Sequence, residues 1–189
     1  MNTVGDLYLA LVHHPVLDKN GAVVTTAVTN MDVHDIARLA RTFGVRRYYV
    51  CTPIPTLQRL VERIILHWEE GPGATYNETR KDALAVVRLA DELDAAITDV
   101  ERETGAMPRL VATSAREGGD RLSYEAMRAR LRADRRPELL IFGTGWGLTR
   151  EVLDRCDDLL EPVRGAGDYN HLSVRSAASI ILDRLRNGR

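Results

Sequence analysis

Cysteine is scarce in this sequence of 189 residues: Cys51 and Cys156 are the only 2, far apart and without a CxxC pair or a metal-ligand spacing. Cys51 lies in an apolar, strand-like run, and both read as reduced packing residues of a cytoplasmic protein. Long apolar runs are missing too, so no membrane span is expected. The opening MNTVGDLYLALVHHP is too polar at its start and too soon interrupted for a signal peptide. An excess of one charge is also lacking. Lys+Arg number 26 against 27 Asp+Glu, so the overall field neither demands nor excludes a polyanionic partner, and any basic patch must be local. There is no internal repeat, low-complexity tract or composition shift. With 44% hydrophobic and 28% charged residues, a single globular domain over 1–189 is expected.

What is present reads as alternating strands and helices. LYLALVHH at 7–14 is a short apolar run bounded by Gly5 and Pro15, a buried strand. Asn20-Gly21 signals a hairpin. Asn30 or Asp32 can cap a helix through VHDIARLARTF, whose Val33, Ile36, Ala37, Ala40 and Phe43 recur at helical spacing, with Gly44 to end it. VRRYYVCTP is the second strand, and a helix over 56–69 runs to the breaker Gly71-Pro72-Gly73. From Asn77 to Glu103 the spacing of Leu84, Val87, Ala90, Leu93, Ile97 and Val100 predicts one long helix, or two with a break. RLVATSA, PELLIFGTG and DLLEPV are further strands. SYEAMRARLRAD, LTREVLDRC and HLSVRSAASIILDRLR are helices, and the arginines of MRARLRADRR read as a solvated face. The fold class is α/β: a parallel sheet of about five to six strands flanked by helices.

Ligands of open parallel sheets bind beyond the carboxyl ends of the strands. Three consecutive strand ends here carry unusual loops: TSAREGGD at 113–120, GTGWGL at 143–148 and EPVRGAGDYNH at 161–171. GTGWGL lacks the GxGxxG spacing of a dinucleotide fingerprint and the lysine of a P-loop. Asn170 is a good cap for the closing helix, with Ser173 able to satisfy free amides. The dense polar run from Asn170 to Ser176, ahead of a plainly apolar remainder, also marks a binding surface. His13, His14, His34, His67 and His171 include no pair at i, i+4 metal spacing, so no metal is expected.

GTGWGL followed by LLEPVRGAGDYNHLSVRSAASIILDRL resembles the three carboxyl-terminal motifs of the SPOUT superfamily of S-adenosylmethionine-dependent RNA methyltransferases. TNMDVHDIARLARTFGV at 29–45 is similar to the amino-terminal motif of the branch that methylates ribose hydroxyls. VLDKNG, HDIAR, GPGATYNETR and TSAR extend the likeness to a small bacterial branch of the superfamily.

The resemblance implies a carboxyl-terminal deep trefoil knot, S-adenosyl-L-methionine as cofactor, an RNA substrate and a homodimer formed through the knot region. The cofactor contacts it implies are Thr113, Ser114 and Ala115; Gly143, Gly145 and Trp146; Leu160 and Pro162; and Asn170, His171, Leu172, Ser173 and Val174. It places Arg38 in acceptor activation or phosphate orientation, with Asn30 shaping the same pocket. His34-Asp35 stands where the ribose-methylating branch has glycine and a small or amide residue, which leaves base and ribose acceptors both open. His34, Asp35, Asn77 and Arg80 are substrate-side candidates. A knotted binding module without methyl transfer, or an enzyme with a non-RNA acceptor, are the alternatives.

Overall fold

The computed structural model describes residues 5–167 and 169–187. Its centre is β1 (Leu7–Val12), all six residues of which are buried. Leu7, Leu9 and Leu11 point to one apolar core, and Tyr8, Ala10 and Val12 to another on the opposite face. An apolar run without polar alternation is what a strand covered on both faces requires.

The short strands β2 (Val16–Leu17) and β3 (Val23–Val24) form the antiparallel hairpin that Asn20-Gly21 signals. The chain continues through helix α1 (Asn30–Thr42), strand β4 (Tyr48–Cys51) and helices α2 (Pro55–Glu69), α3 (Pro72–Tyr76) and α4 (Glu78–Leu84). Next come strand β5 (Val87–Ala90), helix α5 (Leu93–Thr104), strand β6 (Arg109–Ala112), helix α6 (Tyr124–Ala133) and strand β7 (Glu138–Gly143). Helix α7 (Arg150–Asp154), strand β8 (Asp158–Leu159) and helix α8 (Val174–Asn187) complete the described chain.

Six parallel strands form the main sheet, in the order β5-β4-β1-β7-β6-β8. Helices α1, α2, α4, α6 and α8 contribute to the core on one face, and α5 and α7 to that on the other.

Three sequence expectations need correction. The stretch 77–103 is not one long helix but two, α4 and α5, and the break between them is a strand: β5 is paired with β4 at the sheet edge. Its VVRLA run matches helical spacing by coincidence, and pairing with β4 decides the conformation. The cap of α1 is Thr29, not Asn30 or Asp32; its hydroxyl accepts the Asp32 N–H at 3.1 Å. The arginines of MRARLRADRR are not all solvated. Arg130 bonds Glu138 at 2.9 Å and Asp158 at 2.7 Å, and Glu138 is buried. Gly44 does end α1, with φ +66°. Arg186 of α8 donates to the carbonyls of Phe43 and Gly44 there, at 3.0 and 3.2 Å, tying the far ends of α1 and α8 together.

Candidate active site

Strands β7, β6 and β8 are neighbours and parallel, so their carboxyl ends open on the same edge of the sheet. The loops that leave them are cross-tied. Arg116 donates to the Trp146 carbonyl at 3.2 Å, and the Asn170 amide donates to the Ala115 carbonyl at 3.3 Å. Arg121 reaches the Leu160 carbonyl at 3.3 Å. GTGWGL is also stitched to the β2 strand: Trp146 N–H donates to Leu17 O, and Leu17 N–H to Gly147 O, both at 2.9 Å. Gly145 lies at this close approach. It has φ +59°, and a Cβ there would stand 2.9 Å from the Leu17 carbonyl oxygen. The glycine is therefore required by hairpin packing and backbone angle, beyond joining strand to helix.

Between the loops lies a cavity of about 660 Å³. Thr113, Ser114, Ala115, Gly143, Gly145, Trp146, Pro162 and the run Asn170 to Val174 all line it. Leu160 does not: it is buried, bridges to Leu122 and belongs to the core beneath. Asn170 does not cap α8. That helix starts at Val174, and the Ser173 hydroxyl takes the Ser176 N–H at 3.2 Å, which releases the Asn170 amide for Ala115.

Sequence reasoning missed the cavity wall contributed by the start of α1 and the segment before it. Thr26, Ala27 and Asp32 line the cavity, as do Arg116, Glu161 and Ile181. Asp32 is the third residue of α1 and faces inward. Its Oδ2 accepts the Thr29 hydroxyl at 2.6 Å, and its Oδ1 lies 3.7 Å from Arg175 Nε in the first turn of α8. An acidic residue in a first helical turn suits the helix dipole, and that ordinary role masked the second one.

A hydroxyl relay runs under this wall. The single proton of the Thr144 hydroxyl goes to the Val12 carbonyl at 3.0 Å, so Thr26 donates its own to Thr144. His13 must then donate from Nδ1 to the Thr26 hydroxyl, at 3.1 Å, leaving Nε2 unprotonated and with no hydrogen-bond partner among the described residues. His13 is fully buried, and burial pushes its pKa down to about 4 against the opposing pull of Asp32, so the ring is neutral at neutral pH.

The remaining sequence candidates lie outside the cavity lining. Asn30 and Arg38 are exposed on α1. His34 is half-buried and meets Trp68 edge-on, with ring centroids 5.7 Å apart. Arg80 stacks over the same Trp68 at 4.9 Å, a cation–π contact. Burial, then the nearby Arg80 charge, holds the His34 pKa below its ordinary value. The Asn77 side chain is occupied as the cap of α4, accepting the Arg80 N–H at 3.0 Å. Asp35 is exposed, 3.8 Å from Arg175, and connects this outer group to the cavity wall through one guanidinium. Among the described residues, no group of three or more His, Cys, Asp and Glu side chains is placed to hold a metal ion, and no helix is long and apolar enough to cross a membrane. Cys51 and Cys156 are both free thiols, with pKa values raised by burial to about 12 and about 11.

A six-stranded parallel sheet with helices on both faces and a loop-built cavity at its carboxyl edge defines an α/β enzyme-like class with a site for a small organic ligand. Residues 6–187 match the family described as SAM-dependent RNA methyltransferase, and the chain belongs to that family. A tRNA (guanine-N(1)-)-methyltransferase of Oleidesulfovibrio alaskensis is 47% identical over 180 residues, which are 95% of this chain and 42% of that protein. The chain thus spans well under half of that curated relative, whose name describes a longer protein. An uncharacterised protein of Aquifex aeolicus is 42% identical over 180 residues, covering 95% of this chain and 88% of its own length. Among solved structures, the SpoU methyltransferase AviRb from Streptomyces viridochromogenes, in complex with the cofactor AdoMet, shares the fold with a TM-score of 0.58 at 18% identity, over 98% of this chain and 58% of that one.

Proposed function

We propose that this chain transfers methyl groups from S-adenosylmethionine to RNA. The observation that carries the reading is the convergence of three loops, cross-tied by Arg116 and Asn170, on one cavity in a member of an RNA methyltransferase family. The residues present suit the cofactor. Pro162, Val163, Leu172, Val174 and Ile181 offer an apolar slot for a purine, loop main chain is at hand for its polar edge, and Asp32 suits a cation. When bound, the cofactor supplies an electrophilic methyl group on a sulfonium.

The chain's own part is binding and orientation. The loops at 113–115, 143–146 and 162, with Asn170 to Val174, hold the cofactor. The acceptor arrives from the side of α1, where Arg38 steadies its phosphate or hydroxyl and Asn30 shapes the entry. His34, Asp35, Asn77 and Arg80 lie toward the same side as substrate contacts. The reading includes one domain over 1–189, a trefoil knot in its carboxyl-terminal segment, a homodimer formed through that region and a cytoplasmic location. The tRNA named for the longer relatives makes tRNA the first RNA class to try.

Titration calorimetry with S-adenosylmethionine tests the first step, and a folded sample giving no heat would sink the reading. Transfer of labelled methyl from S-adenosylmethionine into total RNA of a deletion strain tests the second. Nucleoside mass spectrometry of that RNA against wild type names the atom, and an identical profile counts against an RNA acceptor.

A further inference from the structure

Among the described residues, two carboxylates line the cavity, Asp32 and Glu161. Glu161 uses Oε1 to accept the Tyr124 main-chain N–H at 2.8 Å, at the start of α6. Asp32 is less fully matched. Thr29 occupies Oδ2 at 2.6 Å, while Oδ1 has no hydrogen-bond donor among the described residues. Its cation, Arg175, stands 3.7 Å away, beyond hydrogen-bond distance, and is shared with Asp35 at 3.8 Å. One guanidinium thus faces two carboxylates. Among the described residues no other cation lies within ion-pair distance of Asp32, and Arg116, the other cation that lines the cavity, is held by the Trp146 carbonyl. His13 is neutral, and the Tyr48 hydroxyl donates to the Asp32 carbonyl at 3.4 Å rather than to its carboxylate. The cavity therefore has a wall with surplus negative charge, in a half-dry setting where Coulomb attraction exceeds its value in water.

We infer that Asp32 pairs with the sulfonium of S-adenosylmethionine, so that the cavity favours the charged cofactor over the thioether left after methyl transfer. The inference rests on the reading of this cavity as the cofactor site. Transfer of the methyl group leaves the C–S electron pair on sulfur, and that sulfur is then uncharged. Asp32 loses its partner, and Arg175 remains as the alternative cation. The pair acts as a sensor of the cofactor's charge and weakens the hold on spent product.

Calorimetry with S-adenosylmethionine and S-adenosylhomocysteine on wild type, Asp32→Asn and Arg175→Met tests this without any turnover. Asp32→Asn keeps an acceptor for Thr29 and is expected to weaken S-adenosylmethionine about tenfold while moving S-adenosylhomocysteine by less than about twofold. Arg175→Met removes the competing cation and is expected to widen the preference for S-adenosylmethionine severalfold. An Asp32→Asn protein that weakens both ligands equally, or neither, overturns the inference while the cofactor reading stands. Should Asp32→Asn fail to fold, Arg175→Met decides: an unchanged or narrowed preference overturns it. A wild-type protein that binds neither ligand overturns the cofactor reading itself.

Discussion

The Asn170 side-chain amide donates to the Ala115 carbonyl at 3.3 Å, joining the loop before α8 to the loop after β6. Both loops line the cavity, so the bond fixes the distance between two of its walls. Asn170 is half-exposed and makes no helix cap, hence its loss should cost the fold little. The expected outcome for Asn170→Ala is a Kd for S-adenosylmethionine raised by about five- to tenfold, in line with about 1 kcal/mol for one hydrogen bond. The thermal midpoint should stay within about 2 °C. Calorimetry and a melting curve on the same sample check both; a large fall in melting temperature with unaltered affinity would assign the bond to stability alone.

Gly145 combines a left-handed backbone angle with a close neighbour, and the two costs can be separated. Gly21 also has positive φ, at +81°, but nothing lies within 4 Å of where its Cβ would be. Gly21→Ala should therefore show the backbone cost alone, about 1 kcal/mol. Gly145→Ala adds a contact 2.9 Å from the Leu17 carbonyl and 3.2 Å from Thr26 Cγ2, and should cost about 1–3 kcal/mol more. Because Trp146 and Leu17 are hydrogen-bonded here, displacement of the loop should also weaken cofactor binding. Urea unfolding of both variants gives the difference; equal losses would mean that the hairpin yields freely.

Much of this arrangement is legible in the chain. The loops TSAREGGD, GTGWGL and EPVRGAGDYNH stand out because glycine and small polar residues follow apolar strands, and twelve of the thirteen cofactor contacts expected from motif likeness line the cavity, Leu160 being the exception. Three-dimensional pairing decided what the chain left open. VVRLA fits both a helix and a strand, and only the neighbouring β4 edge selects the strand. Asp32 reads as a helix-start acid because that is what its sequence position explains; its approach to Arg175, far along the chain, depends on α8 packing beside α1. The His13 relay was hidden for the same reason, since Thr26 and Thr144 meet only when the hairpin folds over GTGWGL.

At the opposite edge of the sheet, Glu138 forms a charge network. Arg130 bonds it at 2.9 Å and Arg109 at 3.3 Å, while Asp134 and Asp158 hold the far sides of those arginines at 2.6 and 2.7 Å. Burial raises the Glu138 pKa, and the two arginines, Arg130 first, oppose that rise. Glu138→Gln keeps the shape but leaves two guanidinium groups short of a partner in a half-buried setting, with an expected loss of about 3 kcal/mol. Arg130→Met should cost a similar amount, and the double variant less than the sum, because the partners lie in one network. Denaturant unfolding checks this, and strict additivity would show that the groups act independently. Cofactor affinity should not change, since none of these residues lines the cavity.

His13 makes stability depend on pH in a defined direction. Its folded pKa is lowered from 6.5 to about 4, chiefly by burial, so the unfolded chain binds the proton more readily. Above about pH 6.5 neither state is protonated at this ring, and stability is fully present; as pH falls below that value the unfolded state gains a proton that the folded state refuses. The loss from this one group should reach roughly 2 kcal/mol by pH 5 and level off near pH 4, at roughly 3 kcal/mol. Carboxylates titrate in the same range, and the His34 pKa is lowered too, so the measurement must be a difference. His13→Gln removes the titration and retains an amide that can donate to the Thr26 hydroxyl. Unfolding free energies of wild type and variant, compared from pH 7.5 to pH 4.5, should converge as pH falls, with the wild type losing more. Parallel curves would mean that His13 takes up its proton as readily in the folded protein as in the unfolded chain, so that burial does not lower its pKa.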